Sequence, residues 1–472
     1  MAANVPLIIN GKEVQTQDTY EISNPKTGQP LHKSSNATTK EAVAAVTAAQ
    51  DAFESWSQTT PGARRDIFLK AAALMDSRAK ELSEYVMTET GGDEGWAGFN
   101  VMLGKECLLA CAGRVSTIEG RIPALSDPTV GGLIVKEAYG AVFAMAPWNA
   151  PYALGFRAVA WPIAAGNTVV FKGSELSPRC LWAVCSILQE AGLPDGVLNF
   201  ISCAPSNAPE MTKAIIEHPA IKKVNFTGST TVGRIVSRLA GENLKPILLE
   251  LGGKAPAIVC DDADLDVAAQ HCVVGAFLYA GQICMSTERI LVHESIASEF
   301  EKKLGEWIER IFSSGGDAPV LIAAGAVTKN KKLMKDAVDK GAKLVYGDLD
   351  TAESAANRMR PIVVGGVKSD MDVYKQESFG PTVSLITFST DEEALRVAND
   401  TEYGLSSAVF SKDLRHALRI AKKIETGAVH INRMSVHDEA ALPHGGAKAS
   451  GYGRFNGAIE EWVRTKNITF DV

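Results

Sequence analysis

The sequence predicts an α/β protein built on two parallel-sheet domains, and three observations carry that prediction. Short apolar runs alternate with helix-length segments from about residue 140 onward. The alternation resets once, after Gly252–Gly253. The chain has 472 residues, 46% of them hydrophobic and 22% charged, enough for two or three domains with a core in each. Strands alternating with helices of this length imply βαβ units.

The elements follow in order. Met1 to Val14 shows no charged segment leading into an apolar one and reads as a short strand, with no leader expected. Thr39 to Trp56 and Pro61 to Thr90 read as amphipathic helices, the second with Pro61 near its start and Gly91–Gly92 past its end. Strand-like runs lie at 140–146, 167–172, 196–201, 222–227 and 246–250, with helices at 152–165, 178–191, 207–217 and 230–240 between them. After the reset come a helix at 264–279, a strand at 289–293 and a helix at 295–312. Further strands are expected at 362–367, 382–388, 406–410 and 427–432. A Gly-rich stretch, 445–457, and a last strand-like run, 466–472, close the chain.

Val142 to Phe171 is long and apolar, with Arg157 its only charge, so a membrane helix has to be considered. Pro147, Pro151 and Pro162 interrupt it, and a buried strand, loop and helix fit better. The net charge of −7 argues against a polyanion or nucleic-acid binder. Eight cysteines in a chain this long form no disulfide framework. The only close pairs are Cys107/Cys111 and Cys180/Cys185, neither of them CxxC, and no metal site is expected. A cytoplasmic protein with reduced thiols is expected, since the tail Thr469–Val472 is no retention or peroxisomal address either.

Six constellations carry chemistry, each modest alone. In Gly281–Gln282–Ile283–Cys284–Met285–Ser286 a loop cysteine follows a helical segment, although most single cysteines are core residues. Glu250 ends an apolar strand before Gly252–Gly253–Lys254 and is a possible general base or a plain turn residue. Asn149, between Pro147 and Pro151, offers a fixed amide to a developing oxyanion, or marks an irregular turn. Phe226–Thr227–Gly228–Ser229 leads a strand into a helix N-terminus suited to phosphate, but neither GxGxxG nor GxxxxGK[ST] occurs in the chain. Lys172–Gly173–Ser174–Glu175 could grip a ribose or form a surface ion pair. Glu377 and Phe379 share the turn Gln376–Pro381 and could bind a ribose and pack a planar ring.

Together, in this order, they resemble the aldehyde dehydrogenase superfamily over nearly the whole chain. The PWN turn at 147–149, FTGS at 226–229, ELGGK at 250–254, GQIC at 281–284 and ESFGP at 377–381 all match, as does the tail Gly445–Lys448 with Ser450–Gly451. The resemblance implies a Rossmann-like NAD-binding domain (1–119 and 140–250), an α/β catalytic domain (251–456) and a small β oligomerisation element (120–139 and 457–472). It implies a homo-oligomer, dimeric or tetrameric. It makes Cys284 the nucleophile, Asn149 the oxyanion donor and Glu250 the general base of a thioester hydrolysis. It assigns NAD to Trp148, Lys172, Ser174, Glu175, Gly228, Ser229, Leu251, Glu377 and Phe379, with Glu175 repelling a 2′-phosphate.

Three stretches, Trp96–Val101, Cys284–Arg289 and Gly451–Phe455, look most like salicylaldehyde and vanillin dehydrogenases, so an aromatic aldehyde is the expected substrate. Trp96, Asn100, Ala150, Ala153, Leu154, Arg157, Ile283, Met285 and the 434–444 loop are expected around it. Arg157 is the unusual member: it either meets a polar group of the substrate or pairs with a carboxylate in the tunnel wall, the second being favoured. The alternatives are an aliphatic or semialdehyde dehydrogenase of the same mechanism, a cysteine hydrolase pairing Cys284 with His271, and a non-catalytic binding protein.

Overall fold

The computed structural model describes residues 4–312, 316–456 and 459–472. The boundary placed at 457, the last glycine of the 445–457 stretch and the first three residues therefore lie outside the described residues.

The first half forms an eight-stranded sheet. Its order is Gly451–Tyr452, Ile247–Glu250, Ile221–Thr227, Ala141–Met145, Thr168–Lys172, Leu198–Ile201, Leu7–Ile9 and Lys12–Val14. The five middle strands are parallel. The chain starts in the middle at Ala141–Met145, steps outward to Leu198–Ile201, then returns to Ile221–Thr227 on the other side. That reversal opens a crevice at the carboxyl ends of Ala141–Met145 and Ile221–Thr227, where open α/β sheets bind ligands.

The second sheet has seven strands, in the order Lys343–Tyr346, Ile362–Gly365, Thr382–Phe388, Thr287–His293, Ala255–Val259, Ala408–Phe410 and His430–Ile431. Only Lys343–Tyr346 runs antiparallel to its neighbour. Val130–Ala138 pairs with Val463–Asp471 in a separate antiparallel ribbon that keeps Ile468 and Phe470 exposed.

Three sequence expectations are corrected. Pro61–Thr90 is two helices, Pro61–Ser77 and Ala79–Thr90. Arg78 leaves helical geometry at the junction, its guanidinium tied to Glu81, Glu190 and Ser186. The break is made by tertiary contacts rather than by glycine or proline. The helix expected at 264–279 stops at Phe277, because Tyr279, Ala280 and Gly281 turn left-handed (φ 50°, 55° and 69°). The strand expected at 427–432 shrinks to His430–Ile431.

The apolar stretch resolves as expected into the buried strand Ala141–Met145 and the helix Pro151–Ala164, with Pro151 in its first turn and Pro162 in its last. No helix among the described residues is long and apolar enough to cross a membrane.

Candidate active site

Cys284 lies in the loop just before the second-sheet strand Thr287–His293. The left-handed turn at 279–281 delivers it, and only glycine fits Gly281, whose Cβ would fall 2.2 Å from the Gly380 carbonyl oxygen. Gln282 pins the loop by donating to the carbonyls of Tyr279 and Val320 (both 3.2 Å) and accepting from Ile322 N–H (2.9 Å). Ser286 Oγ closes it onto the Gly281 carbonyl (3.2 Å). Seven cysteines are buried, and Cys284 alone is half-buried. Its thiol is pushed well up, first by burial and then by the nearby carboxylates of Glu250 and Glu377.

Asn149 is buried in the turn after Ala141–Met145. Its amide donates one hydrogen to the Gln282 carbonyl (3.0 Å), leaving the second for another acceptor. Its own carbonyl accepts from Trp96 Nε1 (2.9 Å). Trp96 is thereby fixed and stacks on Tyr279, with centroids 4.8 Å apart. Asn100 turns its amide back to the Trp96 carbonyl (3.0 Å).

A cavity of about 660 Å³ runs from Cys284 along the crevice. Cys284, Glu250, Asn149 and Leu154 line it, together with all nine residues assigned to the cofactor: Trp148, Lys172, Ser174, Glu175, Gly228, Ser229, Leu251, Glu377 and Phe379. Ser229 caps the helix Thr230–Glu242 by accepting from Val232 N–H, so the positive helix end faces the cavity. A Cβ at Gly228 would strike the Phe226 ring at 2.6 Å, so the turn stays small beside the cavity. Among the described residues Lys172 and Glu175 form no ion pair with each other, and Lys172 Nζ donates to the neighbouring Gly173 carbonyl (3.3 Å). Glu377 accepts from Gly253 N–H (2.9 Å), and its carboxyl is raised to about 7 by burial and by the charge of Glu288. Gly252 makes room for it, since a Cβ there would fall 2.6 Å from that carboxylate. The tail seals the other side, where Ser450 Oγ donates to the Gly252 carbonyl (2.6 Å).

The sequence reading missed the far end of the cavity. Pro205, Ala208, Pro209, Val232, Ile235 and Leu239 form an apolar slot between two helices there. The slot accounts for the exposure of Val232 (44%) and Ile235 (51%) on an otherwise amphipathic helix. A cavity with an apolar slot, a helix N-terminus and three carboxylates, Glu175, Glu250 and Glu377, in its walls fits a dinucleotide.

Ala150, Ala153, Ile283 and Met285 do not line this cavity: Ile283 and Met285 are buried in the core around the helix Pro151–Ala164, Ala150 packs against that core, and Ala153 lines a small cavity with Arg157 and Asp438. Arg157 pairs with two carboxylates. Its Nη1 pairs with Glu250 Oε2 (3.3 Å) and its Nη2 with Asp438. Arg157 and Glu250 are both buried. Sequence reasoning named the 434–444 loop but did not single out His444 in it, whose Nε2 contacts Glu250 Oε1. Burial raises the Glu250 carboxyl, but His444 and Arg157 override it and hold the group down at about 2. His271, the partner a cysteine hydrolase would need, stacks on Phe410 and does not line the cavity. Among the described residues one group, Cys260, Asp262 and His416, brings three potential metal-ligand atoms within 4.8 Å. His416 Nε2 is already bonded to Asp391, and Asp262 Oδ2 to Ser411 and the Asp413 N–H.

The aldehyde dehydrogenase family pattern matches residues 13–468. A vanillin dehydrogenase of Pseudomonas fluorescens is 43% identical, over 99% of this chain and 98% of its own. The crystal structure of a salicylaldehyde dehydrogenase from Pseudomonas putida G7, complexed with salicylaldehyde, superposes with a TM-score of 0.96 at 40% identity, over 99% of this chain and 98% of that one. A betaine aldehyde dehydrogenase from Staphylococcus aureus in complex with NAD+ gives 0.93 at 31% identity, over 98% and 94%.

Proposed function

The chain belongs to the aldehyde dehydrogenase family, and from that premise we propose that it oxidises an aromatic aldehyde to the carboxylic acid, with NAD in the long cavity. The observation that carries the reading is the placement of the single half-buried thiol, Cys284, in one cavity wall with Asn149, Glu250 and the capped helix end at Ser229.

Cys284 Sγ gives up its proton to solvent, attacks the aldehyde carbon and forms a thiohemiacetal whose oxygen takes the negative charge. The oxyanion accepts from the second Asn149 amide hydrogen and from the Cys284 backbone N–H. NAD, when bound in the cavity, would supply the oxidant that accepts the hydride of the thiohemiacetal C–H bond. The acyl group is then a thioester on Cys284. Glu250 takes a proton from water, the water oxygen bonds to the acyl carbon, and the C–S bond breaks. The acid leaves and Cys284 is regenerated. Glu250 is the reason to assign hydrolysis rather than transfer of the acyl group to a thiol.

The apolar slot at Pro205 and Ile235 would take the adenine ring, and Lys172, Ser174 and Glu175 the adjoining ribose. The turn Gly228–Ser229 would take the pyrophosphate, and Glu377 the second ribose, beside Phe379, Trp148 and Leu251. The Glu175 carboxylate favours NAD over NADP, because a 2′-phosphate would meet like charge. Trp96, Asn100, Ala150, Leu154, Ile283 and Met285 form the proposed substrate side. Vanillin and salicylaldehyde dehydrogenases among the relatives support an aromatic ring there.

The oligomerisation element would be the ribbon of Val130–Ala138 and Val463–Asp471. Two strands alone are marginally stable, and exposed Ile468 and Phe470 favour a second copy across it.

NADH formation with salicylaldehyde, vanillin, benzaldehyde and an aliphatic aldehyde tests the assignment. The aromatic aldehydes should give the highest kcat/KM. A preference for the aliphatic one overturns the substrate class.

A further inference from the structure

Glu250 is held by more than its strand. Arg157 Nη1 reaches its Oε2 at 3.3 Å, while His444 Nε2 contacts its Oε1. Arg157 continues to Asp438, and His444 Nδ1 lies 3.6 Å from Asp438 Oδ1. The Glu250 side chain is fully buried and that of His444 is 10% exposed. His444 comes from an irregular segment, fixed by a backbone bridge in which Phe455 N–H donates to its carbonyl (2.8 Å). Its ring therefore enters the site from outside the strand that carries Glu250.

A base must turn an oxygen toward the reacting water. Here both carboxylate oxygens are engaged. The guanidinium is always charged, and Asp438 anchors its other end, so that arm does not switch. The His444 arm can switch, because an imidazole changes charge. His444 Nε2 and Glu250 Oε1 face each other, and neither has another hydrogen-bond partner among the described residues.

Resting on the assignment of Glu250 as the hydrolytic base, we propose that His444 is its positioning residue: the imidazolium clamps Oε1 away from the Cys284 thioester, and the neutral ring releases it. The charged groups around the ring are Glu250 and Arg157, Asp438 on its own segment, and Arg454, with His430 and His437 beyond. Burial lowers the His444 pKa from its ordinary 6.5, Glu250 opposes this, and Arg157 and Arg454 add to it. The ring is therefore neutral at pH 7, and the clamp closes only in more acid solution. Glu250, held at about 2, cannot itself produce a loss of hydrolysis in that range.

The test separates the NADH burst, which reports attack and oxidation, from the steady-state rate, which reports thioester hydrolysis. It uses salicylaldehyde and NAD across about pH 5 to 9. The wild-type hydrolysis rate should fall below pH 6.5 by up to about tenfold per pH unit. His444→Gln should remove that acid limb. His444→Lys, a permanent cation, should keep hydrolysis slow, about tenfold or more below wild type, at every pH. A ring needed only for packing would slow both variants alike, and that result overturns the proposal. So does an unchanged acid limb in His444→Gln. Glu250→Gln separates the two levels: if it hydrolyses at the wild-type rate, the base assignment itself fails, whatever His444 does.

Discussion

Glu250 and Lys254 lie on either side of Gly252–Gly253, and each anchors a buried cluster of charges. Around Lys254 the polar groups are matched. Its ammonium pairs with Glu288 and reaches Ser378 Oγ (3.3 Å). Glu288 also accepts from the N–H groups of Ser378 (2.8 Å) and Phe379 (3.1 Å). Arg289 donates to the carbonyls of Lys254 (3.1 Å), Val397 (2.9 Å) and Ala398 (2.8 Å). Around Glu250 the matching stops at Arg157 and Asp438, and Glu250 Oε1 and His444 Nε2 have no hydrogen-bond partner beyond each other among the described residues. A satisfied buried network is scaffolding, here for the turn that carries Glu377 and Phe379. An under-satisfied one beside a reactive thiol is a place where a proton can move.

The comparison can be broken by changing one member of each cluster. The largest effect is expected at Glu250. Glu250→Gln should lower steady-state turnover by about 10²–10⁴-fold, at a smaller stability cost than Lys254→Met, because Asp438 still pairs with Arg157. Lys254→Met should do the reverse, since it leaves Glu288 buried without its cation. A loss of about 3–5 kcal/mol in denaturant unfolding is expected, with the folded fraction still forming the thioester. Equal stability losses in the two variants would erase the distinction. A smaller effect is expected from Ser378→Ala, about 1–3 kcal/mol, because it removes one acceptor-matched hydroxyl from the satisfied cluster.

The smallest effect lies where the scaffold meets the cofactor. Glu377 titrates near 7, raised by burial and by Glu288. Ribose hydroxyls favour its ionised form, so NAD binding should be strongest above pH 7 and weaken below it. The loss should reach at most about tenfold one pH unit lower, where about a tenth of the group is ionised. Calorimetric titration of NAD at several pH values measures this, and Glu377→Gln should flatten the dependence.

Part of the site was legible because some of its residues end periodic elements. Lys172 and Glu250 close apolar strands and Ser229 opens an amphipathic helix, so alternation placed them at element ends, and only the resemblance to the family gave them roles. Tertiary overrides hid other elements. The strand Ala255–Val259 contains Pro256, which reads against a central strand. The helix Glu94–Arg114 buries residues such as Trp96, Ala97 and Asn100 without a narrow apolar stripe, so it offered no clear periodicity. His444 and Asp438 stand in an irregular segment and meet Glu250 and Arg157 only through the fold. Nothing local to either residue marks that meeting. Arg157 was legible as an anomaly, a lone cation in an apolar stretch, and its partners were not.

In the proposed mechanism one thiol carries the acyl group and one carboxylate releases it. Mixing Glu250→Gln with NAD and salicylaldehyde, then counting NADH and weighing the protein, separates the two roles. About one NADH per active site is expected, then a stall, with the acyl mass on the peptide containing Cys284. Continued turnover, or an acyl group on any other residue, would contradict the mechanism.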